Sequence, residues 1–359
     1  MSRSGASRHR QRRSRTGAPT RQQPVRAGAR GRPAAGAQPG APARVERPPT
    51  REPAGLPGAG VQGVLTRARE LLPHLDLARI GARLVADGWD HVVLLADSRA
   101  EGGRWAIRFA RRADVTQSQE LEEGVLERLA PALPGLLPVS RYSGTGWRAY
   151  PALRGRPVTE GDLQESPVAG EIGALLAVLH GTPVDGGPVG AWEERVRSLV
   201  DGARRDVLPA VPGGDALGDR WLALLATDGI WPQRLTLTHG DLCPEHLLVA
   251  PRAGRTRLAG VLDWADTCAA DPAVDLAGLA RLVSRATLGR VLASYAAVSS
   301  TPVVEVLRMA TMATLWAELA GVRTIAFGSE HDRSDLVRLG LDQLAAAAAR
   351  PTAAGAVAG

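Results

Sequence analysis

The chain has no lysine; all 44 of its basic residues are arginine, so any chemistry that depends on a lysine amine is excluded. Cysteine is almost as scarce. Cys243 and Cys268 are too few for a disulfide framework, and the expected compartment is the reducing cytoplasm. No run approaches the roughly 18 consecutive apolar residues that a membrane-spanning helix needs, so no membrane partner is expected. The opening "MSRSGASRHRQRRSRTG" has no apolar stretch behind its charges and does not read as a secretory signal. A repeat of fixed period is also missing.

What is present is 359 residues with 44% hydrophobic content, enough for one large or two modest domains with a real core. The formal charge of +7 is unevenly spread. Residues 1 to 52 hold 13 arginines against Glu46 and Glu52, a local +11 that leaves the remaining chain at −4. This Arg, Gly, Ala and Pro-rich stretch has little to bury and is expected to form a disordered tail over residues 1–57. Contact with nucleic acid through residues 1–52 is the functional reading, and a solvated extension is the plainer one.

Beyond the tail, "VQGVLTRARELLPHL" and "LARIGARLVADG" carry apolar residues at helical spacing. "HVVLLAD" and "RWAIRFARR" read as strands joined by the glycine-rich "SRAEGG". "VTQSQELEEGVLERLA" is a helix with Leu121, Val125, Leu126 and Leu129 on one face. "GWRAYPAL" is a further strand. From about residue 155 the pattern is mainly helical, interrupted by the short strand-like runs "RLTLT", "HLLVA" and "LAGVLDWAD", the first two of which suggest a hairpin. The expected layout is α+β: a small strand-rich lobe over 58–154, a larger helical lobe over 155–349, and a frayed end over 350–359.

The loop "HGDLCPEH" concentrates chemistry. Asp241 and His246 lie between strand-like runs, and the returning strand ends at Asp263. Phosphoryl transfer to a hydroxyl needs one carboxylate to accept the acceptor's proton. A second carboxylate and a neutral ligand must hold a divalent ion against nucleotide phosphates. Asp241 fits the first task, Asp263 and His246 the second, and His239 fits a buried residue that hydrogen-bonds the loop. Zinc on His239, Cys243, His246 and Cys268 is the competing reading, but the spacing matches no common zinc pattern. A cysteine nucleophile lacks an identifiable base.

"HGDLCPEHLLV" followed by "GVLDWADTCAADPAVDLA" resembles the aminoglycoside phosphotransferase family, whose fold is the two-lobe protein-kinase-like one. The upstream order agrees over roughly residues 78 to 345. "LVADGWDHVVLL" looks like the nucleotide-covering turn, "WAIRF" like the strand with the phosphate-contacting base, and "LEEGVLERL" like the helix that supplies a glutamate. The resemblance implies Asp241 as catalytic base, His246 at a position where most members carry asparagine, and Asp263 as the Mg2+ ligand. It further implies Asp275 as a buried brace and Arg108 on the phosphates, with Glu122 as its ion-pair partner and Glu123 as the other candidate. Backbone amides from Asp87 through Gly88, Trp89 and Asp90 to His91 would cover the phosphates, and the segment from Tyr150 to Leu153 would pass the nucleotide base. Arginine in "RFARR" with histidine in "HGDLxPxH" is similar to the macrolide phosphotransferase branch, which is associated with GTP, so ATP and GTP are both candidate donors.

The expected partners are thus a nucleotide and a small-molecule hydroxyl acceptor, antibiotic-like or a metabolite. Eight acids are interspersed with five arginines between residues 185 and 232; a polycation calls for a strongly acidic cleft, and the expected acceptor is apolar or weakly charged. Two alternatives share these motifs. One is a nucleotide-binding regulatory pseudokinase with a nucleic-acid-contacting tail; the other is a housekeeping sugar, choline or amino-alcohol kinase.

Overall fold

The computed structural model describes residues 60–87, 90–165 and 167–350. The expectations for the tail, for Gly88 and Trp89, and for residues 351–359 lie outside them.

Helix α1 (Val61–Leu71) places Val64, Leu65 and Ala68 on one buried stripe. That stripe covers one face of an antiparallel sheet formed by β1 (Arg83–Asp87), β2 (His91–Asp97), β3 (Arg104–Ala110), β4 (Tyr142–Gly144) and β5 (Trp147–Pro151), in the order β1-β2-β3-β5-β4. Alternation along β2 buries Val92, Leu94 and Ala96 under α1. Register sets them beside Phe109, Ile107 and Trp105 of β3. Each fully buried side chain of this kind contributes about 1.5–3 kcal/mol. The opposite face of the sheet carries Val93, Arg108 and Arg148 side by side, and helix α2 (Ala113–Leu129) packs on β3.

Two expectations fail in this part. "LARIGARLVADG" is not helical: it holds β1, because Leu84 finds a cross-strand partner in Leu94, and Ile80 of the supposed apolar stripe is 85% exposed. In α2, Leu121 points outward at 75% exposure. The buried face instead runs through Val115, Gln119, Glu122, Leu126 and Leu129, at spacings of four and three. Two polar residues therefore take inward positions that the apolar pattern assigned to leucine.

After β5 the chain passes through Ala152 to Arg154 into β6 (Arg156–Pro157). The turn requires Gly155: at φ 126, a β-carbon would lie 2.6 Å from the carbonyl oxygen of Val249. Helices α3 (Glu160–Glu165), α4 (Val168–Gly181), α5 (Val189–Asp206) and α6 (Gly214–Leu225) follow, then strands β7 (Thr236–Thr238), β8 (Leu247–Arg252), β9 (Arg255–Val261) and β10 (Cys268–Ala270). Helices α7 (Ala277–Leu282), α8 (Arg285–Ser299), α9 (Val303–Glu330) and α10 (Ser334–Ala348) complete the described chain. A second, larger apolar cluster joins all these elements and includes Leu126 and Leu129 of α2.

The expected hairpin between "RLTLT" and "HLLVA" does not form. β7 pairs with β10, whereas β8 pairs with β6 and β9. The intervening loop thus bridges two separate ladders. Pro244 lacks an N–H for a ladder bond and instead opens a short 3-10 turn over Pro244–His246. Among the described residues no helix is long and apolar enough to cross a membrane.

Candidate active site

Three buried threonine and leucine residues of β7 deliver the chain to His239, which is fully buried. Its Nδ1 accepts from the Asp241 amide at 3.3 Å, so Nε2 carries the proton and donates to the Leu262 carbonyl at 2.9 Å. The ring also lies 4.7 Å from that of Trp264. Gly240 turns the backbone at φ 86, where a β-carbon would lie 2.1 Å from the Asp266 carbonyl oxygen. No other residue type fits both that angle and that approach.

The buried carboxylate of Asp275 holds this turn. Its Oδ2 accepts from the His239 amide at 2.9 Å and its Oδ1 from the Gly240 amide at 2.9 Å. His180, from the end of α4, donates from Nε2 to Oδ2 at 3.0 Å, while its Nδ1 lies 3.3 Å from the Tyr295 hydroxyl. Next to this brace, Arg308 of α9 grips Asp271 with two contacts of 2.8 Å. The segment "DPAVD" is thereby fixed to the helical core from both ends.

Asp241 emerges from this rigid base with its side chain 48% exposed. His246 follows on the 3-10 turn, with Nδ1 donating to the Asp241 carbonyl at 2.8 Å. That bond leaves the Nε2 lone pair free, 3.7 Å from Asp263 Oδ2. Asp263 lies just past β9, tied in because the Leu262 amide donates to the His246 carbonyl at 2.8 Å. The structure therefore gathers Asp241, His246 and Asp263 in one exposed neighbourhood. A carboxylate oxygen suits Mg2+ and a free imidazole nitrogen is a workable though softer ligand, so the pair Asp263 and His246 fits a divalent cation.

Across from Asp263, Arg108 Nη2 approaches its Oδ1 to 3.9 Å. Arg108 Nη1 makes 2.8 and 3.1 Å contacts to both Glu122 oxygens. Glu122, and not Glu123, is thus the partner. The other edge of Arg108 meets His91 Nδ1 at 3.1 Å. Burial and the charges of Arg108, Arg148 and Arg112 push the His91 pKa down to about 3. The ring is therefore neutral and accepts from the guanidinium.

The other residues singled out from the sequence are more dispersed. The side chain of Asp90 pairs with Arg112 at 2.8 Å, and the backbone of Asp87 ends β1 opposite Val92. Tyr150 is buried on β5, where desolvation pushes its hydroxyl pKa up. Leu153 packs against Gly260 of β9, close enough to leave no room for a β-carbon there.

The zinc alternative is not assembled. Both ring nitrogens of His239 are engaged with the backbone. Burial and the nearby Asp241 push the Cys243 thiol up to about 12, far from the thiolate that zinc requires. Asp241, Cys243 and His246 do offer ligand atoms within 4.8 Å of one another.

Sequence reasoning overlooked His180, Tyr295, Arg148 and Gln119. A signal existed for Arg148, an arginine inside the apolar run "GWRAYPAL" just as Arg108 is inside "WAIRF". His180 closing the apolar helix "GALLAVLHG" was a second such signal.

The chain is similar to several known proteins. YcbJ, an uncharacterized protein of Bacillus subtilis (strain 168), is 30% identical over 228 residues, 59% of this chain and 72% of that one. Viomycin phosphotransferase of Streptomyces vinaceus is 28% identical over 235 residues, 60% and 78% of the two chains. Macrolide 2'-phosphotransferase MphH from Brachybacterium faecium, solved as the apoenzyme, superposes with a TM-score of 0.64 at 27% identity. That match covers 80% of this chain and 99% of MphH. The phosphotransferase enzyme family matches residues 81–310, and the chain belongs to that family as a phosphotransferase with the two-lobe protein-kinase-like fold.

Proposed function

We propose that this phosphotransferase moves the γ-phosphate of ATP or GTP to a hydroxyl of an antibiotic-like acceptor, with a macrolide-type acceptor ahead of an aminoglycoside. One observation carries the reading. An exposed carboxylate, Asp241, stands on a braced turn beside a second exposed carboxylate, Asp263, with His246 between them and the Arg108–Glu122 pair facing Asp263. The preference for a macrolide rests on MphH, at 27% identity over 99% of its length.

Asp241 accepts the proton of the acceptor hydroxyl and aims its oxygen at phosphorus. The transition state is loose and demands little covalent work, so the protein contributes positioning and charge stabilisation. Asp263 and His246 hold the divalent ion; when bound, Mg2+ neutralises charge developing on the phosphate oxygens. Arg108, steadied by Glu122, contacts the phosphates, while the backbone over residues 87–91 covers them and the segment from Tyr150 to Leu153 flanks the base. Residues 58–154 bind the nucleotide in this scheme, and residues 155–349 supply catalysis and the acceptor pocket.

The test is acceptor-dependent diphosphate release, with ATP and GTP in parallel, across macrolides, aminoglycosides and hydroxylated metabolites. Asp241→Asn is expected to lose turnover by about 10^2- to 10^4-fold, as for removal of a general base, with nucleotide affinity retained. A variant that keeps full turnover would remove Asp241 from the chemistry. Absence of acceptor-dependent release with every compound would overturn the reading.

A further inference from the structure

The sheet face turned toward α2 is charged although it is buried. Register aligns Arg108 with Arg148 and with Val93; His91, two residues before Val93, shares that face. Helix α2 lays Gln119 and Glu122 against them. Arg108 is 7% exposed and Arg148 2%, and the two guanidiniums share the single carboxylate of Glu122. His91 is neutral, and the second carboxylate near the pair is the half-exposed Asp263, 3.9 Å from Arg108 Nη2, so Glu122 is the one buried carboxylate beside the two guanidiniums.

Hydrogen bonding in this group is out of balance. Arg148 spends Nη2 on the Gln119 carbonyl at 2.6 Å and on Glu122 Oε2 at 3.2 Å. Its Nη1, His91 Nε2 and Gln119 Nε2 are buried with no partner among the described residues. All three are donors: His91 accepts at Nδ1 and so keeps its proton on Nε2. None of the unmatched side-chain atoms in this group is an acceptor. Buried donors without acceptors are costly, and such groups call for an explanation by an ion or water. A single anion would supply the acceptors these donors lack.

We propose that the buried polar group between β2, β3, β5 and α2 is an anion site, in which Arg148, His91 and Gln119 donate to an oxyanion or halide. The anion comes from one of two sources, the phosphate chain of the nucleotide or a free inorganic ion. The first is favoured because Arg108 joins the cluster to the candidate site, its Nη2 lying 3.9 Å from the exposed Asp263. That source rests on the proposed function; the site itself does not.

The experiment compares the full chain with Arg148→Met in two arms. Calorimetry measures binding of a non-hydrolysable nucleoside triphosphate and of the bare nucleoside. Thermal unfolding is followed while chloride or inorganic phosphate replaces gluconate at constant ionic strength. The nucleotide source is supported if the variant binds triphosphate about tenfold or more weakly and the nucleoside equally well. A free anion is supported if nucleotide affinities match while chloride or phosphate raises the melting temperature of the wild type alone. The proposal is overturned if neither arm separates the two proteins. Should Arg148→Met fail to fold, Gln119→Leu, which keeps both guanidiniums and Glu122, undergoes the same comparison, with smaller shifts expected. Wild-type protein that binds no triphosphate would count against the phosphotransferase reading, and the anion arm alone would then decide the site.

Discussion

Asp275→Asn tests whether the brace under the Asp241 turn sets both stability and, on the proposed function, rate. Asp275 accepts three hydrogen bonds, from the His239 amide, the Gly240 amide and His180 Nε2. Asparagine has a single acceptor oxygen, so in either amide orientation its NH2 group faces at least one of these donors. One buried N–H left unmatched costs about 1–3 kcal/mol, and each remaining bond weakens by about 1 kcal/mol when its acceptor loses charge. The expected loss is about 3–5 kcal/mol, within the 5–15 kcal/mol typical of a folded domain, so the variant still folds. Gly240 adjoins Asp241, and a displacement of about 1 Å at a catalytic group lowers turnover on the order of 100-fold. Urea unfolding should show a lower midpoint at unchanged slope, and steady-state kinetics a lower kcat at unchanged nucleotide affinity. Wild-type midpoint and wild-type kcat together would refute the reasoning.

His246→Asn replaces the imidazole with a harder amide oxygen and should preserve or improve Mg2+ use, read as the Mg2+ concentration for half-maximal turnover; complete inactivity would show a different duty for His246. His91 gives a pH signature. Its pKa is 6.5 in the unfolded chain and about 3 when folded, so the unfolded state binds one more proton across that window. Acidification through it therefore destabilises the fold, by up to about 1.4 kcal/mol per pH unit. His91→Gln should lose about 2 kcal/mol less than wild type between pH 7 and pH 5, and equal losses in urea titrations would contradict the shift. Cys243, whose thiol is pushed up to about 12, should alkylate much more slowly in native than in unfolded protein at pH 8; equal rates would show it to be ionised or open.

The candidate loop was legible because its residues are close in sequence: "HGDLCPEH" places Asp241 and His246 five positions apart, and a single strand returns Asp263 to them. Strand pairing was less so. The partner of β7 is β10, some thirty residues away, and local pattern carries no information about a partner chosen by the packing of the whole core. The two misread segments have different causes. Leu84 found its partner across a sheet edge that helical periodicity does not register. Leu121 lost its inward place to Gln119 and Glu122, because the interior beneath α2 is ionic where a hydrophobic pattern assumes oil. Sequence patterning fails at such positions because buried polar groups occupy places that it assigns to apolar ones.

Asp263 has a left-handed backbone at φ 60, a conformation that costs a non-glycine residue about 1 kcal/mol. If Asp263 holds the metal as proposed, position 263 is thus pulled two ways. In a library screened only for heat resistance, glycine should accumulate there, and the survivors would be robust but inert. In a library screened for phosphate transfer, aspartate should persist at a small thermal penalty. Sequencing both populations would reveal which demand has shaped this codon.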